Sequence, residues 1–485
     1  MQSPRVKPYR PHTLLAARAV SRTWASTIIN APRLWSTLRL DGEINLKNLE
    51  KKALGWAQKS LGRRPGQQRV HGEDGPGIQE LCITAAQEIS PITLQDLLLQ
   101  LFTMGAFKSL RHLTISFVDG NRTTESARRE AKTTSDTLSF LHTHLRQAIQ
   151  SLTLCTGSRL YPDFEIASFY YAFPSLHSLR LWGATHAGTV AGVRSDFLSR
   201  YNVKKDDEGV CAERAPTQAR HLSVNGAVLV ADLACRLADF PRLEELDIDV
   251  VGAATIWELL SAPRLKMVHA VVYGEQHVVE LPSPDVASAW SRVESLKLGG
   301  AKRLAPRLLD QAVRSSLTFP NLTHLDLAFA SLDSAQLALF DFANAPNLTS
   351  LALPSTTSAS PSGDVNLPQL TSLRSIDLSH TLWTTDATIR SLITLAPNLE
   401  QLCAMGAINL SGRPLMELVN ARMEPSSEGS QPPGMPVSKL AVLKVEGCSK
   451  LEPQAVEWLQ KHLKRGFRFK WLDPLDKSRR KGSWV

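Results

Sequence analysis

A nine-residue block recurs about every thirty residues through this chain, and no other feature limits its fold so tightly. Its clearest copy is F-P-N-L-T-H-L-D-L (319–327), with leucines at 322, 325 and 327. Close copies are F-K-S-L-R-H-L-T-I (107–115), F-P-S-L-H-S-L-R-L (173–181), F-P-R-L-E-E-L-D-I (240–248) and A-P-N-L-T-S-L-A-L (345–353). Looser ones are A-P-R-L-K-M-V-H-A (262–270), W-S-R-V-E-S-L-K-L (290–298), A-P-N-L-E-Q-L-C-A (396–404) and V-S-K-L-A-V-L-K-V (437–445), and the weakest centre on Leu81, Leu152, Leu222 and Ile376. A fixed period of this length is the mark of stacked repeats, in which no single unit can bury its apolar face alone.

The alternation in Leu325-x-Leu327 puts both leucines on one face of a short strand and Asp326 on the other. The Phe/Ala-Pro pair ahead of it stops any preceding helix, because proline cannot continue one and restricts its neighbour. Stretches between the strands, such as 333–344 and 385–395, read as helices; in the second, Ile389, Leu392 and Ile393 form an apolar stripe. The expected fold is therefore α/β: a leucine-rich repeat solenoid, a curved parallel sheet with helices on its outer face.

Bulk composition narrows the function. No apolar run approaches the length of a membrane span. The six cysteines (Cys82, Cys155, Cys211, Cys235, Cys403 and Cys448) lack C-x-x-C or His/Cys ligand spacing, which points to a reducing compartment, cytoplasmic or nuclear, and away from zinc. Cys448 stands where such repeats often carry Asn or Cys, a structural place. His142 and His144 have no third ligand and read as surface residues. No G-x-S-x-G, Walker A, H-E-x-x-H or G-x-G-x-x-G is present, so neither enzyme activity nor a cofactor is expected. The formal net charge is +9, but residues 1–70 hold 14 Lys/Arg against 3 Asp/Glu, and residues 461–485 hold 9 against 2. Residues 71–460 hold 32 against 41, so a protein ligand is expected rather than nucleic acid.

Along the chain, residues 1–13 should be extended and 14–29 helical, with Ala17, Val20, Trp24 and Ile28 on one stripe. A first strand is expected over 34–40, a connector over 62–77, and the solenoid over 78–460. Loop insertions are expected at 121–136, 202–217, 354–368 and 424–436, and a cap with a basic tail over 461–485. A basic, amphipathic N-terminus also fits a mitochondrial presequence, although three prolines and two tryptophans fit one poorly.

The string V-S-R-T-W-A-S-T-I-I-N-A-P-R-L-W-S-T-L-R-L (20–40) resembles the second half of an F-box as found in many fungal F-box/leucine-rich-repeat proteins. Val20, Arg22, Trp24, Pro32, Leu34, Trp35, Leu38 and Leu40 fit that pattern, and A-L-G-W-A-Q-K-S-L-G-R-R-P (53–65) is similar to the segment that often follows. The resemblance implies a substrate receptor of a cullin–RING ubiquitin ligase: the N-terminus docks on a Skp-type adaptor while the repeats hold a substrate protein. On that footing Leu14, Leu15, Val20, Trp24, Leu34 and Trp35 form the adaptor-binding set, Leu34 and Trp35 joining it to the repeats. Only thirteen residues precede Leu14, so the L-P-x-E helix of a complete F-box is missing; a truncated chain, or one without adaptor binding, is the expectation.

Substrate contacts are expected from residues flanking the strand leucines on the concave side: Arg180, Trp182, Asp247, Asp249, Lys297, Asp326, Asp377 and Lys444. Trp182 beside Arg180 has the chemistry of a binding anchor, or packs under the 186–218 insertion. Asp247, Asp249, Asp326 and Asp377 either form an acidic stripe for a basic segment or are solvated sheet positions.

Overall fold

The computed structural model describes residues 31–41, 46–62, 75–84, 89–116, 124–155, 166–182, 216–225, 240–249, 264–272, 291–300, 309–310, 313, 316–358, 365–423 and 438–469. The chain divides into two compact units, 1–229 and 230–485.

The first unit contains six parallel strands in sequence order: β1 (Thr37–Asp41), β2 (Glu80–Thr84), β3 (His112–Ser116), β4 (Ser151–Cys155), β5 (Ser178–Trp182) and β6 (His221–Asn225). Between them run helices α1 (Leu46–Ser60), α2 (Pro91–Thr103), α3 (Thr124–Leu145) and α4 (Ile166–Ala172). In each strand the two alternating apolar residues are buried: Leu38 and Leu40, Leu81 and Ile83, Leu113 and Ile115, and so on to Leu222 and Val224. Each contributes on the order of 2 kcal/mol by leaving water.

In the second unit nine strands repeat the arrangement: β7 (Glu245–Asp249), β8 (Met267–Val272), β9 (Ser295–Gly300), β10 (His324–Asp326), β12 (Ser350–Ala352), β14 (Ser375–Asp377), β15 (Gln401–Cys403), β16 (Val442–Lys444) and β17 (Phe467–Arg468). All pair in parallel with their neighbours. A side pair, β11 (Ser331–Leu332) with β13 (Thr357–Ser358), links two successive turns. The helices are α5 (Ser334–Ala338), α6 (Asp386–Leu395), α7 (Gly412–Met423) and α8 (Pro453–Leu463). All thirteen sequence centres are strands, the four weakest among them, and both units are repeat-like, solenoid-like α/β structures. No described helix is long and apolar enough to cross a membrane.

Polar side chains before β10, β12, β14 and β15 tie one repeat to the last. Asn321 Nδ2 donates to the Ser291 carbonyl at 2.7 Å, Asn347 to Pro320 at 2.7 Å and Asn398 to Thr371 at 2.8 Å, while Ser372 Oγ donates to Pro346 at 2.5 Å. After β10, β12, β14, β15 and β16 the chain turns through a left-handed residue at one fixed position: Phe329, Ser355, His380, Gly406 and Gly447, with φ between 56° and 78°.

Several boundaries differ from those expected. Among the described residues the first unit's strands begin at β1, not at residue 78, because Trp35, Leu38 and Leu40 have the spacing of Leu322, Leu325 and Leu327 and form a repeat in their own right. The second unit's described strands run to β17, inside the segment expected to be a cap. Residues 124–136, expected as part of a loop, belong to α3; the run A-R-R-E-A-K supplies strong helix formers. The helix expected over 333–344 spans only Ser334–Ala338. It opens on an Asp333–Gln336 capping box and stops where Asp341 and Asn344 bond to backbone at Ala343 and Ala338. Within 354–368, residues 357–358 form β13 rather than loop. The helix α6 follows expectation closely, with Ile389 and Leu392 buried and Ile393 partly so. The segments 1–30, 63–74, 202–215 and 424–437 lie outside the described residues.

Candidate functional site

The side chains between the buried leucines form rows across each sheet, one residue per strand, on the face opposite the leucine core. In the first unit the middle row reads Arg39, Cys82, Thr114, Thr153, Arg180, Ser223. The row toward the strand starts reads Thr37, Glu80, His112, Ser151, Ser178, His221, and the row toward their ends includes Ser116, Cys155, Trp182 and Asn225.

Arg180 is exposed and Trp182 half-buried on this face. The Arg180 guanidinium lies 6.0 Å from the Trp182 ring centroid, and the indole Nε1 donates to Ser223 Oγ at 3.4 Å. An aromatic plane beside a guanidinium, held by a hydroxyl on the next strand, suits a protein side chain or backbone as a hydrophobic and hydrogen-bonding seat. Of the 186–218 insertion expected as a cover for Trp182, residues 186–215 lie outside the described residues. Cys82 and Cys155 are neighbours of this surface, but burial raises both thiols above their ordinary pKa, so neither is an activated nucleophile.

In the second unit the middle row reads Asp247, His269, Lys297, Asp326, Ala352, Asp377, Cys403, Lys444, Arg468. Five of the expected substrate residues therefore do share one row: Asp247, Lys297, Asp326, Asp377 and Lys444. The expected acidic stripe is interrupted, however. His269 Nδ1 lies 2.8 Å from Asp247 Oδ1, and Lys297 Nζ lies 3.3 Å from Asp326 Oδ2. Two of the row's acids thus stand beside bases, Asp247 beside His269 and Asp326 beside Lys297, so this stretch is not uniformly negative. The side chain of Asp249 lies outside the described residues.

Of the adaptor-binding set, Leu14, Leu15, Val20 and Trp24 lie outside the described residues. Leu34 is 44% exposed in the short 3-10 turn Pro32–Trp35, while Trp35 is only 1% exposed. Trp35 meets Trp56 of α1 edge to face, and Lys59 Nζ lies 4.3 Å from its ring centroid. Trp35 is thus a core residue and no docking surface, because it fills the position that Leu322 fills in a later repeat.

Cys448 is buried, its thiol donating to the Ala404 carbonyl at 3.1 Å. Burial pushes that thiol up to about 11. His144 packs against Phe140 one turn earlier on α3 and against Phe102 of α2. Among the described residues no group of three His, Cys, Asp or Glu is placed to hold a metal ion.

Sequence reading passed over a set of cations at the strand starts of the first unit: Arg111 and His112, His177, and Arg220 and His221. The signal was available, since R-H-L occurs at both 111–113 and 220–222. Burial, and then the proximity of His221, Arg220 and His112, lower the pKa of His177. Its Nδ1 is buried without a hydrogen-bond partner among the described residues. Neither a scan against protein-family models nor a search of curated proteins finds a match to this chain.

Proposed function

We propose that this chain is a leucine-rich-repeat protein of the F-box type, the non-catalytic substrate-recognition subunit of a cullin–RING ubiquitin ligase. The observation that carries the recognition half is the regular polar face of the first unit's sheet, where rows of side chains from successive strands stand beside one another around the Arg180–Trp182 pair. The docking half rests on the resemblance of residues 20–40, with exposed Leu34 as its described contact. In this role the chain supplies no chemistry; it raises the effective concentration of a substrate lysine near the charged E2.

A repeat scaffold without a ligase link is the second reading. The burial of Trp35 favours it, since one of the six expected docking residues is occupied inside the fold.

The deciding experiment is a pull-down of the full chain with a purified Skp-type adaptor, beside Trp24→Ala and Leu34→Asp variants. Capture that either variant abolishes supports the ligase role; no capture by the parent chain leaves the scaffold.

A further inference from the structure

We propose that the strand-start edge of the first unit's sheet, at Arg111, His112, His177 and Arg220, binds an extended acidic segment of a partner protein. This rests on the reading of the chain as a protein-recognition subunit and adds the charge and conformation of what it holds.

The two units share one architecture but treat equivalent positions differently. In the second unit the residues just before the strands are paired across neighbours: Lys266 Nζ with Glu294 at 3.1 Å, and Arg374 with Glu400 at 3.5 Å. In the first unit the same positions hold Gln79, Arg111, Gln150, His177 and Arg220, as the backbone bonds from each to the next show. No acid is among them, and β3 to β6 contain no Asp or Glu at all. Arg111 and Arg220 are exposed, and among the described residues neither pairs with a carboxylate. The nearest acid in register is Glu80 on β2, opposite His112, which accepts from Thr37 at 3.1 Å.

Geometry fits a strand-like ligand. Neighbouring strands lie about 4.8 Å apart, so the row from His112 on β3 to His221 on β6 spans about 14 Å. Carboxylates at positions i and i+4 of an extended peptide lie about 13 Å apart. Ser151 and Ser178 stand between the two histidines in the same row and offer hydroxyls to the peptide's intervening groups. A ligand carboxylate at this edge would also offset the repulsion among the cations around His177.

A short acidic segment fits better than nucleic acid. Residues 71–460 carry 41 Asp/Glu against 32 Lys/Arg, a field that opposes a long polyanion while leaving a local cationic edge open to a few carboxylates. No lysine lies on β3 to β6, where a phosphate backbone would call for several.

The test is fluorescence anisotropy on the full chain, with a labelled peptide carrying glutamate at alternate positions. Controls are the matching lysine peptide and a single-stranded oligonucleotide. The glutamate peptide should bind, weaken with added salt, and lose about tenfold in affinity in an Arg111→Gln/Arg220→Gln variant, since removal of two such contacts is worth about 1.4 kcal/mol. Both arginines are exposed, so the variant should melt with the parent, and a second variant, His177→Gln, should weaken binding as well. Equal binding of the lysine peptide, unchanged affinity in both variants, or tighter binding of the oligonucleotide at the same residues would overturn the proposal. A chain that captures the adaptor yet ignores the glutamate peptide keeps the receptor reading and loses this one; the reverse result keeps this site and loses the ligase link.

Discussion

Trp35 and Trp56 meet edge to face, their ring centroids 4.6 Å apart and their planes at 78°. Trp35 stands in the first-leucine position of the opening repeat and Trp56 on the helix that follows it, so the pair closes this end of the described apolar core. Leu34, one residue earlier, falls at the position that Asn321 holds in a later repeat and projects into solvent. Truncating Trp35 to Ala should therefore cost about 3–5 kcal/mol of stability, measurable as a lower urea midpoint. Leu34→Asp should leave that midpoint within about 0.5 kcal/mol of the parent while removing any adaptor capture. If Leu34→Asp destabilised as much as Trp35→Ala, the assignment of inside and outside in this turn would be wrong.

At the left-handed corners a second pair is diagnostic. A Cβ on Gly406 would lie 2.5 Å from Nδ1 of His380, whose ring occupies that space from the preceding repeat. Gly406→Ala therefore meets both a positive-φ cost and a displaced imidazole, and should destabilise by about 2 kcal/mol. Adding His380→Ala should recover the steric part, a coupling that a double-mutant cycle reads directly. Phe329, at the equivalent corner three repeats earlier, holds φ +61° and is 45% exposed. Phe329→Gly should stay within about 1 kcal/mol of the parent, because relief of strain offsets the entropy of a freer unfolded chain.

How far all this was legible follows from which contacts are local. Leu325 and Leu327 announce a strand face because their spacing alone sets their side, and the same logic found even the weak centres at Leu152 and Ile376. The pairing of Asp247 with His269 is of another kind: the two are 22 positions apart, and only the parallel register makes them neighbours. Read one strand at a time, Asp247, Asp326 and Asp377 look like an acidic stripe; read across strands, His269 and Lys297 fall between them. Trp35 was ambiguous for a further reason, since tryptophan fits both the F-box-like string and a repeat's first apolar position. The helix at 124–145 was hidden by a polar composition that resembles a loop unless its helix propensity is weighed.

His177 gives a pH signature that follows from its surroundings. Its folded-state pKa lies below the ordinary value because burial and the charges of His221, Arg220 and His112 disfavour its protonated form. Below the ordinary histidine value of about 6.5 the unfolded chain takes up a proton more readily than the folded one, so stability falls as pH drops. His177→Gln removes that contribution. Between pH 7.5 and 5.5 the parent should lose more in melting temperature than the variant, and bound glutamate peptide should narrow the gap. Identical losses would mean that the cations on β3 and β6 do not bear on His177.

Arg422 offers the sharpest test of how adjacent repeats are joined. It sits on α7, only 5% exposed, and its guanidinium donates to four carbonyls of the preceding repeat: Leu392, Ala396, Pro397 and Leu399. These lie at the C-terminal end of α6 and just beyond, where unpaired carbonyls gather partial negative charge and a cation is favoured. Burial pulls the Arg422 pKa down to about 10, leaving it charged at neutral pH. Arg422→Met keeps much of the volume but strands the carbonyls, and should cost about 3–5 kcal/mol. Arg422→Lys, with three donors and no planar fork, should recover only part of that loss. Hydrogen exchange should locate the damage: amides of α6 and α7 should lose protection in Arg422→Met while those of β2 to β5 keep theirs. Uniform loss across the chain would show that Arg422 supports the whole fold rather than one junction between repeats.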